Sequence, residues 1–231
     1  MKVAAETLQL IMAFRELDIA QRQDLAAKMQ MRSFDPKVSV ITQDDESSDV
    51  FFVVSGHVRA TLYSVAGKEV SFQDLGAGEM FGELAAIDDG PRSMHVVSMT
   101  DALIASMSKE AFWSALLTYP QFARHPLRRL TRVVRNHSER IFEYSTLGVK
   151  NRIHAELLRL ARRNSNNDHD VAISDPPTHA EIASRVSTHR EAVTKECRHL
   201  EQLGLIEWHP GRHLIKDVAA LERMVKEVRG H

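Results

Sequence analysis

Residues 81–93 read FGELAAIDDGPRS and follow the turn sequence GAGE at 76–79. Gly82 carries no Cβ atom, so the backbone at this point is able to approach a ligand closely. The three amides after it are suited to open a short helix, and the N-terminus of a helix favours an anion. These amides belong to Glu83, Leu84 and Ala85. The stretch therefore predicts a site for an anionic ligand.

Three side chains of the same stretch predict a phosphate with a sugar attached to it. Arg92 supplies a cationic fork that matches phosphate, and Ser93 adds a hydroxyl and an amide. Glu83 would repel a phosphate unless its carboxylate accepts hydrogen bonds from hydroxyls such as a ribose 2′-OH. The set indicates a phosphate-and-ribose pocket, and the alternative is a surface loop with a Glu–Arg ion pair.

Short runs rich in Val, Ile, Phe and Thr lie on both sides of this stretch. From about Met31 they read VSVIT, DVFFVV, HVRATLY, EVSFQDL, SMHVV and ALIASM, and the turn sequences DDESSD, SG, AGK and GAGE separate them. Regularly spaced short strands of this kind predict a β-sandwich or barrel. Before them, residues 1–30 carry apolar side chains at loosely helical spacing and are predicted to be helical.

A long helix is predicted after the strands, with Pro126 near its start and its end at about Val149. Part of it alternates spacings of three and four, and we call these residues the seam: Leu127, Leu130, Val134, His137, Ile141 and Tyr144. Such a/d spacing over nearly three heptads is typical of a helix that pairs with a copy of itself. The alternative is an amphipathic helix packed on its own domain.

The C-terminal part combines helix starts with a pair of strands. A helix at about 149–163 is predicted to lead into NSNNDHD, a polar loop or hairpin. Thr178-His-Ala-Glu181 and Thr188-His-Arg-Glu191 are capping boxes that predict helices at about 179–186 and 189–203. After Gly204, LIEWHPGRHLIKD predicts two strands around a Pro-Gly turn. A tightly connected helix pair followed by such a wing indicates DNA binding.

Length and composition narrow the class of protein. The 231 residues suggest one large domain or two small ones. No run approaches the ~20 apolar residues of a membrane helix, and the first residues lack the features of a secretory signal. The lone Cys197 makes neither an internal disulfide nor a cysteine-ligated cluster, so we expect a reducing cytoplasm. We expect neither a metal nor a membrane partner.

Charge is distributed unevenly although the net charge is only −1. Residues 1–100 carry −6, residues 101–150 carry +4, and residues 151–231 carry +1 together with 8 of the 12 histidines. This asymmetry permits a C-terminal half that binds nucleic acid, but it does not establish one.

Four segments between Phe51 and Phe112 resemble the cyclic-nucleotide-binding domain: FFVVSGHVRATLY, GKEVSF, LGAGEMFGELA and PRSMHVV. Residues 81–93 are similar to its phosphate-binding cassette, and we call them the cassette. With the seam helix and the winged helix-turn-helix, the chain resembles the CRP branch of the CRP/FNR family of bacterial transcription regulators. It looks like the CRP-like regulators of rhizobia, and the likeness spans roughly Phe34 to Asp217.

The resemblance implies an α+β fold in three parts. An N-terminal β-roll (jelly-roll) that binds a cyclic nucleotide is expected in residues 1–118, a dimerisation helix in 119–148, and a winged helix-turn-helix in 149–231. The protein is then a homodimer that reads a palindromic site on double-stranded DNA, with RNA polymerase as a further partner. The expected effector is cAMP.

The same resemblance assigns roles within the cassette. The cyclic phosphate is expected to bind Gly82, Leu84, Ala85, Arg92 and Ser93, and the ribose hydroxyl is expected to bind Glu83. On the seam helix, members that respond to cAMP usually have a Thr-Ser pair, whereas this chain has His137-Ser138 after Asn136. These three side chains are predicted to read a purine edge, which makes cGMP a second candidate ligand. Alternatively, His137 is a core histidine that is hydrogen-bonded across the dimer.

In the DNA-binding part the resemblance places Arg190, Glu191 and Lys195 where bases are read. Lys195 stands where related proteins often have Arg, and Ser187 stands at a turn position that commonly holds Gly. As an alternative role, Glu191 completes its capping box. Contacts to DNA phosphates are predicted for Thr188, His189 and Arg212.

Two other functions are weighed against this prediction. An enzyme would need a nucleophile, base and orienting group, and Glu83, His95 and Arg92 do not form such a set. The second alternative is a regulator of the same family that binds DNA without needing a nucleotide.

Overall fold

The computed structural model describes residues 2–63, 69–174, 176–209 and 211–229. The chain forms two compact units, Met1–Val134 and Arg135–His231. All three residues of the predicted AGK turn, and Pro210 of the predicted Pro-Gly turn, lie outside the described residues.

The first unit begins with short helical pieces and continues as strands. Its helices are α1 (Ala5–Leu8), α2 (Ile19–Ala26), α3 (Glu83–Asp88) and α4 (Lys109–Thr118), with a 3₁₀ turn at Met12–Phe14. Its strands are β1 (Met29–Phe34), β2 (Ser39–Ile41), β3 (Val50–Ser55), β4 (Val58–Tyr63), β5 (Glu69–Leu75), β6 (Met80–Phe81), β7 (His95–Ser98) and β8 (Ala102–Met107). The prediction of helix throughout residues 1–30 is wrong, because a new helix starts at the Asp18–Gln21 capping box and β1 begins at Met29.

The strands form two antiparallel four-stranded sheets with the orders β1-β8-β3-β6 and β2-β7-β4-β5. Residues from both sheets share one apolar core, which contains Ile41, Val53, Val58, Leu75, Phe81, Val96, Ala102 and Ile104. Of the predicted β-sandwich or barrel, the structure has the β-sandwich. β1 and β6 were not predicted, and β6 has only two residues.

A second core lies between the first sheet and the helices of this unit. Phe14 lies at its centre, with its ring centroid 5.0 Å from that of Phe52 on β3 and 5.1 Å from that of Phe122. All three rings are fully buried. This aromatic contact fixes the N-terminal segment on the sheet that carries the cassette.

The long helix α5 (Pro120–Thr146) begins six residues before the predicted start at Pro126. Proline is tolerated at a first helical position, where its missing N–H has no intrahelical partner, so Pro120 opens the helix. Pro126 lies inside it and removes one intrahelical hydrogen bond. The seam residues Leu127, Val134 and Ile141 are 64%, 64% and 66% exposed.

The second unit contains the end of α5 and the elements α6 (Val149–Asn164), β9 (His169–Ser174), α7 (His179–Arg185), α8 (Arg190–Gln202), β10 (Ile206–His209), β11 (Arg212–Asp217) and α9 (Val218–Arg229). Its sheet has the order β10-β11-β9, and β10 pairs with β11 in the predicted wing. The predicted apolar side of α8, Val193, Cys197 and Leu200, is buried. β9 and α9 were not predicted. Within the described residues, no helix has the length and apolar character to cross a membrane.

One of the two predicted capping boxes forms. Thr178 and Glu181 exchange hydrogen bonds at the start of α7. The prediction of a capping box at Thr188–Glu191 is wrong. The residue before α8 is His189, and its side chain makes no capping hydrogen bond. Thr188 belongs instead to the turn, where its N–H donates to the carbonyl of Ala183 at 2.9 Å.

Replacing Phe14 by alanine tests the aromatic core. We expect Phe14→Ala to lower the free energy of unfolding by about 3–5 kcal/mol, because it leaves a cavity against two other rings. Leu117→Ala on α4 is the control, since Leu117 is 79% exposed, and its effect should be near zero. Urea unfolding followed by circular dichroism measures both. A loss of less than about 1 kcal/mol for Phe14→Ala would contradict the packing described.

Candidate functional site

The cassette begins with a turn that requires glycine. Gly82 lies between β6 and α3 with φ of +80°, in the left-handed region. A Cβ atom here would lie 2.8 Å from Nη1 of Arg92 and 3.1 Å from the carbonyl oxygen of Asp49. Any larger residue would therefore displace the arginine from the turn.

Arg92 is only 2% exposed, and its guanidinium binds protein acceptors. Nη1 donates to the carbonyl of Gly82 at 2.8 Å, and Nη2 donates to the carbonyl of Asp49 at 2.8 Å. Nε donates to the hydroxyl of Ser47 at 3.0 Å, and the guanidinium carbon lies 5.5 Å from the centre of the Phe51 ring. An arginine has five N–H groups, and three of them make these hydrogen bonds.

The loop between β2 and β3 also holds the backbone of Arg92. Its N–H donates to the carbonyl of Asp45, and its carbonyl accepts from the N–H of Asp44, both at 2.9 Å. The carboxylate of Asp45 accepts from the N–H of Ser47 at 2.6 Å, which lowers the pKa of Asp45. The sequence indicated only a turn here, because the bond between Ser47 and Arg92 joins residues 45 positions apart.

Glu83 forms an ion pair that the sequence did not predict. Its side chain is buried, with the residue 4% exposed, and its Oε1 accepts from Nε of Arg129 on α5 at 3.2 Å. The alternative of a surface loop is wrong, since Glu83 and Arg92 are both buried. Arg129 gave no sequence signal beyond lying off the seam.

Burial and neighbouring charges act in opposite directions on the pKa of Arg92. Burial lowers the pKa of Arg92, and the charges of Asp49, Asp45 and Glu83 act against that shift. An arginine nevertheless stays charged in proteins.

The remaining cassette residues differ in solvent exposure: Ala85 is buried, whereas Leu84 and Ser93 are exposed. Nε1 of Trp113 on α4 donates to the carbonyl of Ala86 on α3 at 2.8 Å.

The predicted base-reading residues belong to the second unit. Asn136, His137 and Ser138 are consecutive, exposed residues of α5. The structure thus brings Gly82, Glu83 and Arg92 together, and the role of the α5 residues stays a prediction.

The predicted DNA-reading residues share the exposed side of α8. Arg190, Glu191 and Lys195 line one open depression of about 920 Å³. Since α8 has no capping box, the alternative role of Glu191 as a capping residue is wrong.

The turn and the wing carry the residues predicted to contact phosphates. His189 and Arg212 are exposed, and Thr188 is partly exposed. Ser187 has φ of +53°, as expected at a position that commonly holds glycine.

A ring stack that was not predicted from the sequence supports the wing. The Trp208 ring lies 3.4 Å from that of His213 and 4.6 Å from that of His179. Nδ1 of His179 also lies 2.9 Å from the hydroxyl of Thr194 on α8. Burial lowers the pKa of His179, and the nearby charge of Arg190 acts in the same direction.

Among the described residues, no group of three or more His, Cys, Asp or Glu side chains is placed to hold a metal ion. Cys197 lies on the buried side of α8, and burial raises the pKa of its thiol to about 12. The thiol is therefore protonated and unreactive at neutral pH.

Two protein-family models match the chain. The cyclic nucleotide-binding domain matches residues 31–119, and the Crp-like helix-turn-helix domain matches residues 151–224. The chain belongs to the CRP/FNR family of transcription regulators. Members of this family are DNA-binding regulators and not enzymes, which decides against the enzymatic alternative.

Two relatives in this family are similar over most of their length. The chain is 26% identical over 203 residues to the CRP-like cAMP-activated global transcriptional regulator of Mycobacterium tuberculosis. The aligned residues cover 87% of this chain and 91% of the relative. It is 27% identical over 202 residues to the cyclic AMP receptor protein of Thermus thermophilus, with coverage of 87% and 91%.

A solved structure agrees in fold. A CooA mutant from Carboxydothermus hydrogenoformans aligns with a TM-score of 0.78 at 18% identity, covering 94% of this chain and 95% of that one. At this identity the likeness concerns the fold alone. The predicted α+β fold class, with its nucleotide-binding β-domain, long helix and C-terminal helix-turn-helix, is confirmed.

The state of Cys197 is directly measurable. We expect the native protein not to react with Ellman's reagent at pH 8, because the buried thiol has a pKa of about 12. Protein unfolded in urea serves as the control and should release one equivalent of the coloured product. Rapid stoichiometric reaction of the native protein would contradict the packing of α8.

Proposed function

We propose that this regulator responds to a cyclic nucleotide, with cAMP as the effector. The observation that carries the proposal is the buried Arg92, which lies against the Gly82 turn and beside the buried Glu83. A cation with free N–H groups at such a turn suits a phosphate, and the carboxylate suits a ribose hydroxyl.

Roles follow for each residue of the cassette. The cyclic phosphate would be held by the two remaining N–H groups of Arg92, by Ser93 and by the backbone at Gly82, Leu84 and Ala85. Glu83 would accept a hydrogen bond from the ribose hydroxyl while it keeps the bond from Arg129, since a carboxylate has about four acceptor positions. Ser47 would act indirectly, by holding Nε of Arg92.

The purine base would be read by Asn136, His137 and Ser138 of α5. Amide and imidazole groups both donate and accept hydrogen bonds, so the edge of guanine is readable as well as that of adenine. We therefore propose cAMP as the main ligand and cGMP as a second one.

The protein would act as a homodimer on a palindromic DNA site in the cytoplasm, with RNA polymerase as a further partner. Exposed apolar seam residues on α5 support pairing of two copies, because Leu127, Val134 and Ile141 recur at heptad spacing. Arg190, Glu191 and Lys195 would read bases, and Thr188, His189 and Arg212 would bind phosphates.

Regulation would be a shift between two populations of the dimer. A nucleotide changes that equilibrium only by binding one state more tightly than the other. Contacts of its base with His137 and Ser138 at the seam would supply this preference. In the favoured state the two α8 helices would lie about one DNA turn apart.

A regulator that needs no nucleotide is the second candidate. One observation favours it: Arg92 already has three protein acceptors, so the pocket needs no ligand to satisfy most of this buried cation. The two functions differ in whether DNA affinity depends on added nucleotide.

A nucleotide titration with Arg92→Ala tests the pocket. Wild-type protein should bind cAMP by calorimetry and bind a CRP-type DNA duplex more tightly when cAMP or cGMP is present. Arg92→Ala should lower cAMP affinity on the order of 100-fold, because two charge-assisted hydrogen bonds are lost. Arg124→Ala on the exposed side of α5 is the control and should bind normally.

The titration has two adverse outcomes. Absence of binding of both nucleotides by wild-type protein would overturn the effector proposal, and nucleotide-independent DNA binding would then favour the second candidate. Because Arg92→Ala also leaves carbonyls of the pocket unpaired, its melting temperature and its sedimentation as a dimer must be checked. Glu83→Gln, which keeps the size of the side chain, provides a second pocket variant.

Base reading by α8 is tested with single-base variants of the DNA site. Arg190→Ala should weaken the free energy of DNA binding by about 1–3 kcal/mol and relax specificity at one base pair. Arg212→Ala should weaken binding to all sequences alike and reduce the slope of the salt dependence by about one. Fluorescence anisotropy measures both. If Arg190→Ala instead lowers the affinity for all DNA sequences equally, Arg190 contacts phosphates and does not read bases.

A further inference from the structure

The carbonyl of Arg185, the last residue of α7, binds two side chains of α5. Nη1 of Arg140 donates to it at 3.0 Å, and the hydroxyl of Tyr144 donates to it at 2.6 Å. The last carbonyls of a helix have no partner within the helix, so water or side chains must satisfy them. Here the seam helix satisfies the end of the first helix of the helix-turn-helix.

The next two carbonyls of the turn bind one arginine of α6. Nε of Arg152 donates to the carbonyl of Val186 at 3.0 Å, and Nη2 donates to that of Ser187 at 3.3 Å. The guanidinium carbon of Arg152 lies 5.7 Å from the centre of the Tyr144 ring. We call Arg140, Tyr144, Arg152 and the three carbonyls that they bind the turn clamp.

The turn clamp acts on the part of the chain that sets the direction of α8. Ser187 has φ of +53°, a conformation that costs free energy in a residue other than glycine. Hydrogen bonds on its own carbonyl and on the two before it help to hold this conformation. Since α8 begins at Arg190, three residues later, its start is fixed relative to the end of α5.

Buried ion pairs connect the same three helices. Nη2 of Arg159 on α6 lies 2.8 and 2.9 Å from the two carboxylate oxygens of Glu143 on α5. The carboxylate of Glu156 on α6 accepts hydrogen bonds from three arginines. Nη1 of Arg159 is one donor, and the others are Nη2 of Arg140 at 3.3 Å and Nη1 of Arg185 at 3.5 Å. Both carboxylates are buried, so separating these helices would leave charges without partners.

We propose that Tyr144 and Arg140 are positioning residues that transmit the state of the seam helix to α8. The inference rests on the proposed function, in which His137 and Ser138 contact the nucleotide. Tyr144 follows His137 by seven residues, which is about two helical turns or 10 Å. A movement of the helix at the ligand therefore moves the hydroxyl that holds the turn before α8.

Tyr144 is suited to this role because it belongs to two features at once. It is a seam residue whose ring is partly exposed, and its hydroxyl is bonded to the turn. Pairing of two seam helices would fix the ring and with it the hydroxyl. The clamp thus links the proposed dimer contact to the placement of α8.

Tyr144→Phe tests the proposal, because it removes one hydroxyl and keeps the ring. The cAMP dissociation constant should stay within about twofold of wild type. The ratio of DNA affinities with and without saturating cAMP should fall about fivefold to tenfold. Thr146→Val is the matched control: its hydroxyl donates to the carbonyl of Phe142 in its own helix, so the ratio should not change.

A second measurement does not depend on the nucleotide. Backbone hydrogen exchange of residues 187–192 should rise in Tyr144→Phe and stay at the wild-type rate in Thr146→Val. If wild-type DNA affinity does not respond to cAMP or cGMP, the proposed function fails. In that case the clamp proposal fails as well if hydrogen exchange in Tyr144→Phe equals that of the wild type. With a responsive wild type, an unchanged affinity ratio in Tyr144→Phe overturns the clamp proposal. An equal loss of DNA affinity with and without nucleotide would show a purely structural role and also overturn it.

Discussion

The buried guanidinium of Arg92 organises the first unit. A cation removed from water is costly unless its N–H groups find acceptors, and the acceptors here come from two distant parts of the chain. Gly82 provides one carbonyl from the cassette, and Asp49 with Ser47 provides two more acceptors from the loop before β3. The requirement for glycine at position 82 follows directly, since a side chain there would occupy the space of the arginine.

Local patterns in the sequence predicted the fold well. The cassette, the Thr178 capping box and the wing each lie within a dozen or so residues, so their chemistry is readable from neighbouring positions. The errors also have local causes. Pro126 resembles a helix start although Pro120 already provides one, and Thr188 resembles a cap although its N–H is used in the turn.

Contacts between distant residues are what the sequence did not reveal. Ser47 lies 45 positions before Arg92, and Arg129 lies 46 positions after Glu83. The contacts of Arg140 and Tyr144 with the carbonyl of Arg185 span 45 and 41 positions. A backbone carbonyl as acceptor leaves no trace in residue type, so no pattern of side chains predicts such a bond. The residues that hold Arg92 and Glu83, and those that form the turn clamp, are therefore visible only in the folded chain.

The two tryptophans of the chain lie in different units, one beside each candidate site. Trp113 is hydrogen-bonded to the carbonyl of Ala86 behind the cassette, and Trp208 stacks on His213 in the wing. Each indole therefore senses the surroundings of one site. The protein carries two intrinsic fluorescent reporters, and replacing either one by phenylalanine would leave a single signal for events at the cassette or at the wing, with no dye attached.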